Sequence, residues 1–177
     1  MAATDISAAL QRAQTVLRRR PEIGLHDDAS ASARWSGNTR IVTSHANGTE
    51  MPTDLATELG GTGDQVSPGW LFRAGLAACT ATVVAMVAAE QQIELESLEV
   101  LASSRSDTRG VLGMEEDDGT PVPAGPSYLQ MLVRISAHGV SATRLYELVH
   151  EAYRRSPVAC ALKGGAPIAL VIEANAD

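Results

Sequence analysis

Aromatic residues are scarce in this 177-residue chain: one Phe, two Trp and three Tyr make up 3% of the sequence. Single-stranded nucleic acid is gripped by stacking bases on clustered aromatics, so the shortage argues against such a partner. Positive charge is in deficit as well. The formal net charge is −7 and the pI about 5.1, whereas polyanions select basic surfaces, so neither nucleic acid nor an anionic membrane is an expected partner. Cysteine is limited to Cys79 and Cys160, too few for the disulfide framework of a secreted protein. The opening MAATDISAALQRAQ lacks the basic-then-apolar order of a secretory leader. The longest uncharged run, Ala74 to Ala89, has 16 residues rich in Ala, Gly and Thr, which is short for a bilayer span. A soluble cytoplasmic protein is expected.

Several chemistries are excluded by missing patterns. His26, His45, His138 and His150 have no paired spacing and no C-x-x-C occurs, so no metal site is expected. The acidic run Glu115 to Asp118 lacks the alternate-position rhythm of a calcium loop. The glycine-rich stretch Leu59 to Asp64 lacks G-x-x-x-x-G-K-[ST] and ends in a carboxylate that would repel phosphate. No G-x-S-x-G nucleophile elbow appears. No cofactor is called for.

With 45% hydrophobic residues, the chain can bury one core. Residues 1–28 read as an N-terminal helical arm and 29–177 as the body. In the arm, Ile6, Leu10, Ala13 and Leu17 recur at helical spacing, Arg18 to Arg20 favour a helix C-terminus, and Pro21 stops it. Turn signals at Gly37-Asn38 and Ala46-Asn47-Gly48 divide residues 31–52 into three short strands, with Arg34 and Arg40 on either side of the first turn. Ser67 to Gln92 follows as a central helix, capped by Ser67 and started by Pro68. Its apolar and small residues occupy nearly every face, the pattern of a helix surrounded by protein, and Cys79 lies near its middle. Alternation then predicts strands over Leu95 to Ser106 and Ser127 to His138. Ser141 caps an amphipathic helix through Arg155, Val158 to Leu162 forms a turn or short helix carrying Cys160, and Pro167 to Glu173 forms a final strand. This order is α+β and not that of a doubly wound nucleotide fold.

Two segments carry a resemblance. Ser67-Pro68, Leu71-Phe72 and Ala74-Gly75-Leu76-Ala77-Ala78-Cys79 resemble the central-helix signature of the OsmC/Ohr proteins, and Ser156-Pro157-Val158 through Leu162 resembles their second motif. The likeness covers roughly Ala29 to Glu173. It implies antiparallel sheets around two long helices in an intertwined homodimer, with small residues such as Gly75, Cys79 and Thr82 or Val83 at the helix contact. It also implies thiol-dependent reduction of organic hydroperoxides, with an external dithiol as reductant. By the same resemblance Cys79 is the reactive thiol, Cys160 the resolving one and Arg40, or else Arg34, the activating cation. Trp70, Leu71, Phe72 and Met86 are available as apolar walls for a small apolar hydroperoxide or ligand.

The chain departs from the pattern twice, as an OsmC-like subgroup with altered active-site motifs would. Gly69 stands where the family keeps a glutamate that holds the arginine, and Ser156 stands where it keeps the resolving cysteine. Cys160 comes four residues later, which in a helix is a shift of about 6 Å along the axis. An alternative reading is therefore an OsmC-fold dimer that binds an apolar ligand without an efficient peroxidase cycle.

Overall fold

The computed structural model describes residues 3–174. Helix α1, Ala3–Arg19, precedes three short antiparallel strands, β1 Ser32–Trp35, β2 Ile41–Ser44 and β3 Glu50–Thr53, paired in that order. Gly37 and Asn38 both take positive φ, 103° and 50°, which gives the first hairpin the left-handed turn that right-twisted strands favour. Helix α2 runs Pro68–Glu90, strand β4 Leu95–Arg105, the single turn α3 Thr108–Val111, strand β5 Tyr128–Ala137, and helices α4 and α5 Ala142–Arg155 and Pro157–Gly164. The two long strands pair antiparallel, Leu98 opposite Ile135 and Val100 opposite Val133, with an irregularity between Leu95 and Ser97.

Helix α2 begins and ends for local reasons. The Ser67 hydroxyl accepts from the Trp70 amide at 3.2 Å, and Pro68 occupies a position whose N–H has no helical acceptor. Gln92, with φ +56°, turns the chain out of the helix. The core forms where α2 meets α4. Val83, Val84, Val87 and Ala88 pack on Leu148 and Ala152, while Ile93, Leu95, Leu98 and Ile135 of the sheet side close the cluster. Full burial of a Leu or Val side chain stabilises by about 1.5–3 kcal/mol, so this seam is the main attachment of α4.

Two expectations are corrected. The central helix is enclosed on one side only: Leu76, Thr80, Val83, Val84 and Val87 are buried, whereas Phe72, Gly75, Ala78 and Thr82, spaced three or four residues apart, form an exposed stripe. At 23 residues, with mean hydropathy 1.8 over 18 of them, α2 also meets the length and composition of a bilayer span, which the uncharged run alone did not suggest. Its buried side is occupied by α4 and β4. The second correction is the final strand. Residues 167–174 form no strand, and Ile168, Leu170, Val171 and Ile172 are 76–95% exposed, because no sheet edge among the described residues meets them.

Candidate active site

Cys79 is positioned by two elements. It lies midway along α2, and its sulfur faces the junction between α4 and α5, where Ser156 ends one helix and caps the next. Pro157 explains the junction: its ring disfavours helical geometry at the preceding residue, and Ser156 accordingly takes φ −75°, ψ 112°. The turn folds the Ser156 side chain inward, where it is wholly buried. Its hydroxyl donates to Cys79 Sγ at 3.4 Å, and the Val158 amide, in the first turn of α5, reaches the same sulfur at 3.5 Å. Thr80, 1% exposed, places Oγ1 3.2 Å from Ser156 Oγ and 3.5 Å from Met131 Sδ. Each hydroxyl has one proton. When Ser156 donates to the sulfur, Thr80 must donate to Ser156, and its single proton then no longer serves Met131 Sδ.

Cys79 also lines a cavity of about 330 Å³, together with Thr82, Val83, Met86, Arg155 and Pro157. Of the expected apolar walls only Met86 is there; Trp70 and Phe72, 45% and 37% exposed, lie toward the N-terminal end of α2. Arg155, a residue the motifs did not indicate, makes a bidentate pair with Glu90 at 2.6 and 2.9 Å, and Gln14 of α1 adds a bond to the same carboxylate. The Arg155 guanidinium depresses the Glu90 pKa, and Glu90 raises that of Arg155.

Arg40 has a different setting. It donates to the hydroxyl of Thr62 at 2.9 Å, to Asp54 at 3.4 Å and, more closely, to Asp64. Asp54, 2% exposed, is the centre of this cluster: it accepts from Thr39 Oγ1 at 2.5 Å, from the Leu55 amide at 2.8 Å and from both the amide and hydroxyl of Thr62 at 3.0 and 2.7 Å. These hydrogen bonds, led by the Thr39 and Thr62 hydroxyls, hold its carboxyl far below the usual carboxylate range. Asp64 is lowered by Thr62 and then Arg40, and Arg40 is raised chiefly by Asp64. The arginine thus has carboxylate anchors despite Gly69, supplied by the end of the β3 strand and by the glycine-rich loop. In that loop a Cβ on Gly61 would collide with the Leu55 carbonyl oxygen, while Gly60 and Gly63 take positive φ.

The expected trio is accordingly spread over three settings. Cys79 meets Ser156 and Val158, Arg40 meets Asp54 and Asp64, and the exposed Cys160 donates its thiol to the Arg154 carbonyl at 3.2 Å. Both cysteines are free. Arg34 lies on β1, whose four residues are exposed. Among the described residues no group of three or more His, Cys, Asp or Glu could hold a metal ion. Ser156 was visible in the sequence as a departure from the motif, but nothing there placed its hydroxyl, or that of Thr80, against the sulfur.

An antiparallel α+β body around a long central helix, with a cysteine facing the start of a second-motif helix, defines a class of fold. The chain belongs to the OsmC-like proteins, whose family model matches residues 61–171. Among solved structures it is similar to the OsmC-like protein of Mycoplasma pneumoniae, at 17% identity and TM-score 0.65, covering 79% of this chain and 90% of that one. It is also similar to an organic hydroperoxide resistance protein of Legionella pneumophila, at 23% identity and TM-score 0.57, covering 78% and 93%. The organic hydroperoxide resistance protein OhrB of Bacillus subtilis matches at 25% identity and TM-score 0.51, covering 78% and 92%. No curated protein matches the sequence.

Proposed function

We propose that this protein reduces small apolar hydroperoxides by the thiol chemistry of Cys79. The observation that carries the reading is the setting of that sulfur: a buried hydroxyl and a helix-start amide donate to it, and the same residue lines a largely apolar cavity. The thiolate is the nucleophile, and both donors are placed to hydrogen-bond to it. The thiolate attacks the distal peroxide oxygen, the O–O bond breaks, and the leaving alkoxide takes a proton to become the alcohol; Cys79 is left as sulfenic acid. An external dithiol supplies the two electrons that return it to the thiol. Arg40, held by Asp54 and Asp64, is the cation assigned to support the reaction once the chain is assembled.

Assembly as a homodimer is part of the proposal. The stripe of Gly75, Ala78 and Thr82 on α2 is small enough for a second central helix to approach closely, and the exposed apolar residues of 167–174 need a sheet edge that one chain does not provide. The test is stoichiometric. Reduced protein mixed with one equivalent of cumene hydroperoxide should release cumyl alcohol and lose the Cys79 thiol, and Cys79→Ser should release no cumyl alcohol. No oxidation of Cys79 at modest excess would overturn the enzyme reading in favour of an apolar-ligand binder.

A further inference from the structure

Resting on Cys79 as the reacting thiol, we propose that the cycle uses one protein cysteine: Ser156, backed by Thr80, holds the oxidised Cys79, and an external thiol resolves it directly in place of Cys160. The second-motif segment puts residue 156 beside the sulfur, with side-chain atoms 3.4 Å apart and residue 156 fully buried. A sulfur at that position would need only a small adjustment to form a bond of about 2.05 Å. Serine carries oxygen there. A hydroxyl cannot reduce a sulfenic acid, but it can donate to one, and Thr80 behind it keeps the donor directed at Cys79.

Cys160 is directed elsewhere. Its thiol is exposed and bonded to the Arg154 carbonyl at 3.2 Å, while its amide closes the first turn of α5 on the Ser156 carbonyl at 2.9 Å. Moving its sulfur to Cys79 would break its bond to the Arg154 carbonyl, and any shift of its backbone would disturb the first turn of α5, which carries the Val158 amide bonded to Cys79 and Ala159, 5% exposed. The segment that carries Cys160 is the one that supplies the donors. By contrast, the cavity beside Cys79 gives a small thiol a route that leaves the helix intact.

The steps balance with a thiol as co-reactant. Thiolate and hydroperoxide give sulfenic acid and alcohol; the sulfenic acid and one external thiol give a mixed disulfide and water; a second external thiol, or the other arm of a dithiol, displaces Cys79 and leaves as the disulfide.

The experiment is to oxidise the protein with one equivalent of cumene hydroperoxide, trap with dimedone at timed intervals, and map the products by mass spectrometry. Wild type and Cys160→Ser should show the same yield and lifetime of trapped sulfenic acid on Cys79, and added cysteine should convert it to a mixed disulfide. Ser156→Cys should instead form a disulfide between Cys79 and the introduced thiol and lose the trapped species. Ser156→Ala should shorten the sulfenic acid lifetime and slow its formation by about tenfold, the scale of one hydrogen bond to a charged group, with recovery in Ser156→Thr. A Cys79–Cys160 disulfide in wild type, with trapping rising only in Cys160→Ser, overturns the one-cysteine cycle while leaving Cys79 as the reagent. Failure of Cys79 to oxidise at all overturns the enzyme reading beneath it.

Discussion

The Ser156 hydroxyl lies 3.4 Å from Cys79 Sγ and 3.2 Å from Thr80 Oγ1, so one buried side chain joins the α4–α5 junction to two successive residues of the central helix. Removing that hydroxyl takes a partner from a buried threonine as well as from the thiol. Ser156→Ala is expected to destabilise the fold by about 1–2 kcal/mol, read from urea unfolding. A change near zero would mean that Thr80 is satisfied by Met131 alone.

The seam between α2 and α4 depends on Leu148, fully buried against Val84 and Val87. Leu148→Ala leaves a cavity between helices that cannot collapse freely and is expected to cost about 2–5 kcal/mol. Tyr146→Ala, on the 68% exposed outer face of the same helix, provides the contrast and should change stability by less than about 1 kcal/mol.

Asp54 and Asp64 are ionised more readily in the folded chain than when unfolded, because hydroxyl and guanidinium donors hold the charged form. Groups of depressed pKa stabilise the fold fully above their unfolded values, about 3.9, and lose that contribution as pH falls through the lower folded values. The melting temperature of wild type should therefore drop from about pH 4 downward. Asp54→Asn should lower it at pH 7, with the gap from wild type beginning to narrow below about pH 4 and continuing to narrow as the pH falls toward the depressed folded value; a gap independent of pH would show that Asp54 acts through packing and not through its charge.

Gly69 is a place where an added Cβ meets no steric obstacle. A Cβ there meets only Arg73 Nη1 at 3.7 Å and Ser67 Oγ at 3.8 Å, both ordinary contacts. Gly69→Glu removes a flexible residue from the first turn of α2 and adds a carboxylate near the helix N-terminus, so a gain of about 1 kcal/mol is expected. A fall in melting temperature would refute the open geometry.

The exposed stripe of α2 predicts self-association. Sedimentation at micromolar protein should give twice the chain mass, and Ala78→Arg, which places a charge in the middle of the stripe, should give a monomer. A monomeric wild type would leave the apolar surface of residues 167–174 without the partner assigned to it.

The sequence by itself determined what depends on local chemistry. Ser67-Pro68 and Ser141 started their helices, Gly37-Asn38 turned the first hairpin, and the alternation through Leu98, Val100, Met131 and Val133 chose the inward faces of β4 and β5. The two motifs likewise pointed to Cys79 and its family, since short segments at the right separation carry that information. What depends on an opposing surface was decided only in three dimensions. An all-apolar helix does not say which side its own chain covers, and an apolar terminal segment becomes a strand only where an edge receives it. Arg40 found Asp54 and Asp64 because a loop distant in sequence folds over it. Cys79 found a hydroxyl in place of a second sulfur because Pro157 turns Ser156 inward and leaves Cys160 facing out. Spacing along a chain fixes how far apart two residues can be; the packing of helices fixes which atoms meet.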